Sequence, residues 1–246
     1  MTKKFNIINN ITRIAFFGGL LVVVLFSPNI SATTFKNYSK HFKVSPQNAS
    51  LDIYNPTGSI KVTTWDKAEI KLSAFLDDHV EVLERQQGSS IEIEVHCAKI
   101  GQARFEVNIP QECTLDLTCL NGPIEVWSVS GPISAQTTEG EITLQDLTSN
   151  NIVAKTTRGV ISYKGILDKK GIYNFSSIEN SINVTIPASN AFTLSATASP
   201  GKVHLGGFSL TDSIPHERRI SGKYGGGGAM LNINSHHGEI NLHKQP

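Results

Sequence analysis

Hydrophobic and polar residues alternate along most of this chain, and one short phrase organises the alternation. A Gly or Asn is followed by any residue, an apolar residue, any residue and a second apolar residue. The phrase is led by Gly58, Gly122, Gly131, Gly140, Asn150, Gly159, Gly171, Asn180, Gly201 and Gly238. Apolar residues two apart lie on one face of a strand, so each phrase predicts a strand with one buried side. Gly and Asn enter left-handed backbone most readily, so a tight turn is expected ahead of each strand, with these ten residues as its structural turns.

From Gly122 to Asn180 the phrases step by 9, 9, 10, 9, 12 and 9 residues. A step of this size leaves about five residues of strand and about four of turn. Asp77–Gln87 is the best candidate for a helix, yet Val80 and Val82 alternate. Gly88-Ser89-Ser90 then leads into Ile91, Ile93 and Val95, so the segment reads as strand, turn, strand. With two strands per coil, Ile124, Ile142, Ile161 and Ile182 would stack in one column, and Ile133, Ile152 and Tyr173 in another. This predicts an all-β solenoid; the spacing equally fits a β-sandwich or antiparallel meander. A longer repeat overlays the short one. Val107-Asn108-Ile109-Pro110 precedes Leu115, Leu117 and Gly122, and Val184-Thr185-Ile186-Pro187 precedes Phe192, Leu194 and Gly201. Proline cannot donate to a sheet ladder, so Pro110 and Pro187 belong at strand ends or edges.

The first 32 residues follow a different pattern. Lys3, Lys4 and Arg13 precede an apolar run, Ile14 to Phe26, which ends at Ser27-Pro28 and the small residues Ser31-Ala32. That order is the signature of a secretory signal peptide. The run is shorter than the roughly 20 residues of a spanning helix, so no transmembrane span is expected after cleavage. The expected organisation is a signal peptide over 1–32 and a strand-repeat domain over 33–246. Residues 33–57 and 206–246 would cap its ends.

Charge gains meaning once the chain is divided this way. The whole chain carries 22 Lys+Arg against 21 Asp+Glu, a net charge of +1. Residues 1–32 hold three of the bases and no acid, which leaves the repeat domain at −2. Neither value fits a nucleic-acid binder. The outward position third after the leading residue is Ser134, Thr143, Ser162, Asn174, Asn183 or Asn241 in six phrases. Such a face can hydrogen-bond a sugar or a partner strand.

The phrases at 55–66 (NPTGSIKVTTWD) and 121–144, and the closing GGGGAMLNINSHHGEINL at 225–242, resemble a known family. It is the bacterial putative-adhesin family of β-strand-repeat envelope proteins, a domain of unknown function. The resemblance runs from about Phe42 to Leu242, and includes Trp65 and the Gly-rich stretch before the last strand. It implies a right-handed, single-stranded β-helix-like solenoid in the cell envelope. It carries over no catalytic residues.

Motifs for chemistry are sparse. The chain has no nucleophile elbow, phosphate loop or zinc-protease helix. His236 and His237 are adjacent and point to opposite faces of a strand, which suits surface positions better than a shared metal. Glu125 and Glu141 are the nearest thing to a glycosidase pair, but stand two residues out of register in the coil alignment. The long stretch Gly206–Gly228, with His216, Glu217, Arg218, Arg219, Lys223 and Tyr224, reads as a loop that could meet an anionic partner. Cys113 and Cys119 flank an apparent strand, which holds them too far apart for a disulfide with each other. Cys97 could pair with either, or all three could be buried thiols.

The sequence therefore predicts an exported bacterial protein of the periplasm, outer surface or medium. It would be an adhesin or binding protein for an envelope, glycan or protein ligand, without catalysis, metal or cofactor. An envelope-stress regulator or scaffold is the alternative, and a polysaccharide-active enzyme a third reading. N-terminal sequencing of the exported protein is expected to begin at Thr33; a chain still beginning at Met1 would refute cleavage.

Overall fold

A computed structural model describes residues 35–97, 101–216 and 218–245. The expected signal segment 1–32 lies outside the described residues. In chain order the strands are β1 (Phe35–Lys43), β2 (Ser50–Trp65), β3 (Glu69–Asp77), β4 (Val80–Gln87) and β5 (Ser90–Cys97). Then follow β6 (Ala103–Pro110), β7 (Thr114–Asn121), β8 (Ile124–Trp127), β9 (Ile133–Glu139) and β10 (Ile142–Leu147). Next come β11 (Asn151–Arg158), β12 (Ile161–Gly165), β13 (Ile172–Ser177), β14 (Ile182–Pro187) and β15 (Phe192–Ala198). The last are β16 (Val203–His204), β17 (Thr211–His216), β18 (Arg219–Tyr224), β19 (Ala229–Ser235) and β20 (Ile240–Gln245).

These strands form two facing sheets joined through β2. Sheet A runs β1-β3-β6-β2-β8-β10-β12-β14-β20-β16. Sheet B runs β4-β5-β2-β7-β9-β11-β13-β19-β15-β18-β17. Residues 50–57 of β2 pair in sheet B and residues 58–65 in sheet A. Pairing is parallel through the body of both sheets and antiparallel only at their ends. This is a β-solenoid with two strands per coil.

The core columns follow the predicted register. Ile60, Ile124, Ile142, Ile161, Ile182 and Ile240 are paired neighbours along sheet A, and all are fully buried. Leu115, Ile133, Ile152, Tyr173 and Leu231 face them from sheet B. Burying each such side chain contributes about 1.5–3 kcal/mol.

The coil order departs from the chain order in two places. The β2 coil lies between β5–β6 and β7–β8, and the β19–β20 coil lies between β13–β14 and β15–β16. At each place the chain skips one level. The skips run from Pro110 to Thr114 and from Pro187 to Phe192, where the Val-x-Ile-Pro repeat ends β6 and β14. The longer sequence repeat therefore marks the two slots that a distant segment fills. Residues 50–57 and 229–245, expected in the caps, belong instead to interior coils.

The ends are closed by other segments. At one end Tyr38 and Lys40 of β1 both reach Glu84 of β4, across the gap between sheets. At the other, Phe192, Phe208 and Tyr224 pack ring on ring, with the Lys244 ammonium 5.1 Å from the Phe208 ring and 5.6 Å from the Tyr224 ring. The stretch read as a loop, Gly206–Gly228, contains the β17–β18 hairpin.

The leading residues sit at the corners of the coil, but mostly for a different reason from the one expected. Of the ten, only Gly58 (φ 134°) and Gly122 (φ 143°) have left-handed backbone. Gly131, Gly140, Gly159, Gly201 and Gly238 lack a side chain because successive corners stack directly on one another. A Cβ on Gly140 would lie 2.0 Å from the Gly122 carbonyl oxygen, and one on Gly159 would lie 1.7 Å from that of Gly140. Gly238 and Gly201 extend the same column over Asn180. Gly131 stands over the Cys113 carbonyl at the opposite corner, where Asn150 accepts from the Ile172 amide and Gly171 abuts the Tyr173 ring.

All but one of the stacked corners also supply a side-chain donor to a carbonyl of the neighbouring level; the exception is Ala198. Three residues before each leading residue of this column stands Asn55, Cys119, Thr137, Thr156, Ser177, Ser235 or Ala198. These residues pair with one another along sheet B, and all are buried. Thr137 donates to Gly122 O at 3.2 Å, Thr156 to Gly140 O at 3.1 Å, Ser177 to Gly159 O at 3.1 Å and Ser235 to Asn180 O at 3.0 Å. The Asn55 amide donates to Ala103 O at 2.9 Å, and the Cys119 thiol makes a weaker 3.9 Å contact with Gly58 O.

Two substitutions test this corner. Gly159→Ala forces backbone against backbone and is expected to cost about 3 kcal/mol or more. Thr156→Val keeps the shape, removes the donor from the Gly140 carbonyl, and is expected to cost about 1–3 kcal/mol. Denaturant midpoints measure both; a Gly159→Ala protein as stable as the parent would refute the stacking argument.

Candidate functional site

With the apolar positions turned inward, the alternate positions form straight rows across the outer faces, one residue per coil. On sheet A one row is Lys61, Glu125, Thr143, Ser162, Asn183 and Asn241, all in direct register. The Asn241 amide donates to Asn183 Oδ1 at 3.0 Å. The next row is Trp127, Gln145, Lys164, Thr185 and His243. Trp127 is half-buried, and its Nε1 lacks a hydrogen-bond partner. Four of the six predicted outward residues thus line one face; Ser134 and Asn174 lie on the other.

The same face of sheet A ends in a shallow groove of about 360 Å³ lined by Ser59, Phe75, Arg104, Pro123 and Glu125, among others. Phe35 and Phe75 are each 47% exposed beside it, and the Arg104 guanidinium lies 5.1 Å from the Phe35 ring. Hydroxyls and amides both donate and accept, so the face can match a ligand rich in hydroxyls, with the Trp127 ring as an apolar platform.

The residues considered for catalysis or metal binding are arranged differently. Glu125 pairs with Thr143, which leaves Glu141 diagonal to it by two residues. Glu125 is also within 3.7 Å of Lys61 on the open sheet face. His236 and His237 are exposed, and their backbone amides bond to Ser177 and Ile178 of the neighbouring coil. Among the described residues no group of three or more His, Cys, Asp or Glu side chains could hold a metal ion. The cysteines are free thiols. Cys113 and Cys119 are buried, and burial pushes each thiol up to about 12.

The outer face of sheet B is charged at its ends. Its central row is Glu92, Asp52, Asp116, Ser134, Val153, Asn174, Asn232 and Ser195. The three carboxylates are cross-strand neighbours. Burial chiefly, then Asp116 and Glu92, raises the Asp52 carboxyl above its ordinary value. Arg85 pairs with Glu92 at 2.8 Å, and Asn232 donates to Asn174 Oδ1 at 2.9 Å.

The family model Toastrack DUF4097 matches residues 48–245. The chain belongs to this family. No curated protein matches it. Among solved structures, a putative cell adhesion protein from Clostridium sporogenes is similar at 15% identity and a TM-score of 0.50. The match covers 85% of this chain and 100% of that one. A putative adhesin from Bacteroides fragilis shares 10% identity over 84% of this chain and 97% of its own, with a TM-score of 0.31. One from Parabacteroides distasonis shares 9% identity over 83% and 97%, with a TM-score of 0.24. At 15% identity the first likeness is one of fold.

In this Toastrack domain the small-x-x-Gly spacing at each corner is the feature that sequence reading missed. Its signal was present as Thr137, Thr156, Ser177 and Ser235, each three residues before a leading Gly or Asn. The carboxylate row was missed because Asp52, Glu92 and Asp116 are far apart in the chain.

That row has a consequence for stability. Asp52 binds its proton more tightly in the folded state, so the stability this provides is full below the ordinary carboxylate value. It is lost as pH rises through the raised value. Asp52→Asn is therefore expected to raise the urea midpoint at pH 7 and to leave it unchanged near pH 3. A fall at pH 7 would show that the carboxylate is favourably placed.

Proposed function

We propose that this protein is exported to the bacterial envelope. There it binds a neutral glycan, without catalysis, through the outer face of sheet A. The observation that carries the reading is the part of that face built mainly from uncharged polar side chains. Thr143, Ser162, Asn183 and Asn241 form one row beside Trp127, Gln145 and Thr185, with Lys164 the one cation among them. Sugars offer the complementary chemistry, hydroxyls for the row and an apolar ring face for the indole.

Two further points support it. The apolar run 14–26 and its flanks have the order of an export signal. A solved protein that shares this fold at a TM-score of 0.50 is described as a putative cell adhesion protein. A protein partner, as for a regulator or scaffold of the envelope, is the second reading, favoured by the exposed Phe35 and Phe75 beside the groove.

Binding to immobilised neutral polysaccharides, followed by calorimetry with the best one, tests the proposal. Trp127→Ala is expected to weaken binding about tenfold or more, because stacking contributes on the order of 1–2 kcal/mol. Asn183→Ala is expected to weaken it less. Failure of every neutral glycan to bind, or binding unchanged in Trp127→Ala, would overturn it.

A further inference from the structure

We infer that the outer face of sheet B is the interface of a two-fold homodimer, in which the acidic strands of one copy cover the basic strand of the other. The inference rests on how charge is distributed along the sheet. At one end, β4, β5, β2 and β7 turn Glu81, Glu92, Glu94, Asp52 and Asp116 outward, against Arg85 alone of the lysines and arginines. The middle, from β9 to β15, carries hydroxyls and amides, the apolar Val153, Ile172 and Met230, the cation Lys155, and the Arg158–Glu139 ion pair at its margin. At the other end β18 turns Arg219 and Lys223 outward, with Asp212 as the acid paired to Lys223 at 3.3 Å. Glu92 is paired with Arg85 at 2.8 Å and Glu94 lies 3.0 Å from His96, which leaves Asp52, Asp116 and Glu81 as the acids of this end without an ion pair among the described residues.

This polarity selects one packing. A two-fold axis lying across the strands would set acid on acid and base on base. An axis parallel to the strands, near β11 and β13 at the middle of the sheet, exchanges the two ends. Each copy then places its Asp52 and Asp116 region over the partner's β18. Like charges face each other in the first arrangement and opposite charges in the second.

Shape and area agree with charge. Beside Arg219 lies a recess of about 580 Å³ lined by Thr197, Ser199, Ile214 and Ser221, among others, with Ile214 72% exposed. At the acidic end stand two projecting side chains, Leu83 at 51% and Tyr54 at 39% exposure. The parallel axis brings these ends together. The face spans eleven strands. At about 4.8 Å per strand and about 17 Å of strand length it offers roughly 850 Å², which matches the roughly 800 Å² per partner of a stable complex. Sheet A stays free, so the dimer would present two ligand faces on opposite sides. The inference does not depend on what those faces bind.

Sedimentation of the purified protein tests it. A dimer is expected at low salt, weakened about tenfold or more on going to about 0.5 M salt, where charge is screened within a few ångströms. Arg219→Glu with Lys223→Glu should leave monomer, and so should Asp52→Lys with Asp116→Lys. These positions are on the surface, so thermal melts should show both variants folded. Mixing the two variants should restore a dimer. A monomer at about 100 µM in low salt, dimers insensitive to both reversals, or mixed variants that stay monomeric would each overturn the inference.

Discussion

Everything in this molecule hangs on the stacking of one corner of the coil. Where the chain turns from sheet B into sheet A, each level presents a backbone carbonyl to the level beside it. The space between levels is only a strand separation, so at most levels the residue met by that carbonyl is glycine, with Asn180 the one other residue type among the leading residues of the column. That excludes most residue types at Gly140 and Gly159. The same carbonyl is buried and outside the regular ladder, so it needs a donor. The hydroxyls of Thr137, Thr156, Ser177 and Ser235 provide it from the adjacent level. Glycine and hydroxyl act as a pair: one permits the approach, and the other makes it tolerable in a buried place.

Once the corner repeats, the rest of the fold is constrained. Strands on both sides are held in direct register, which stacks isoleucine on isoleucine in sheet A and leaves the alternate residues in straight outward rows. Cys119 shows how narrow the tolerance is. A thiol fits the corner and is buried there, but it makes only a long contact with the Gly58 carbonyl. Its neighbour Asn55 uses an amide for the same task and leaves Oδ1 without a partner.

Regular register gives the two faces different characters. The outer face of sheet A combines uncharged polar rows with Trp127, and suits a ligand rich in hydroxyls. That of sheet B separates charge along its length, and suits a surface with the opposite order of charges. On the sheet A face Lys61 stands in register between the carboxylates Glu106 and Glu125, 3.7 Å from the latter.

The sequence by itself determined the strands and their buried faces, and its spacing allowed the two-strand coil with these core columns alongside a sandwich or meander. Those features depend on period two and on spacing near nine, which are local properties readable from Ile124, Ile142, Ile161 and Ile182. It also held the corner hydroxyls in plain view, although only the stacked carbonyls explain them. The tertiary structure alone decided the order of the coils. Every level offers much the same parallel edge, so no local signal says that β2 fills the gap left at Pro110–Thr114, or that β19–β20 fills the one at Pro187–Phe192. It also decided the gathering of Asp52, Glu92 and Asp116, because residues so far apart meet only when the inserted β2 coil brings them level.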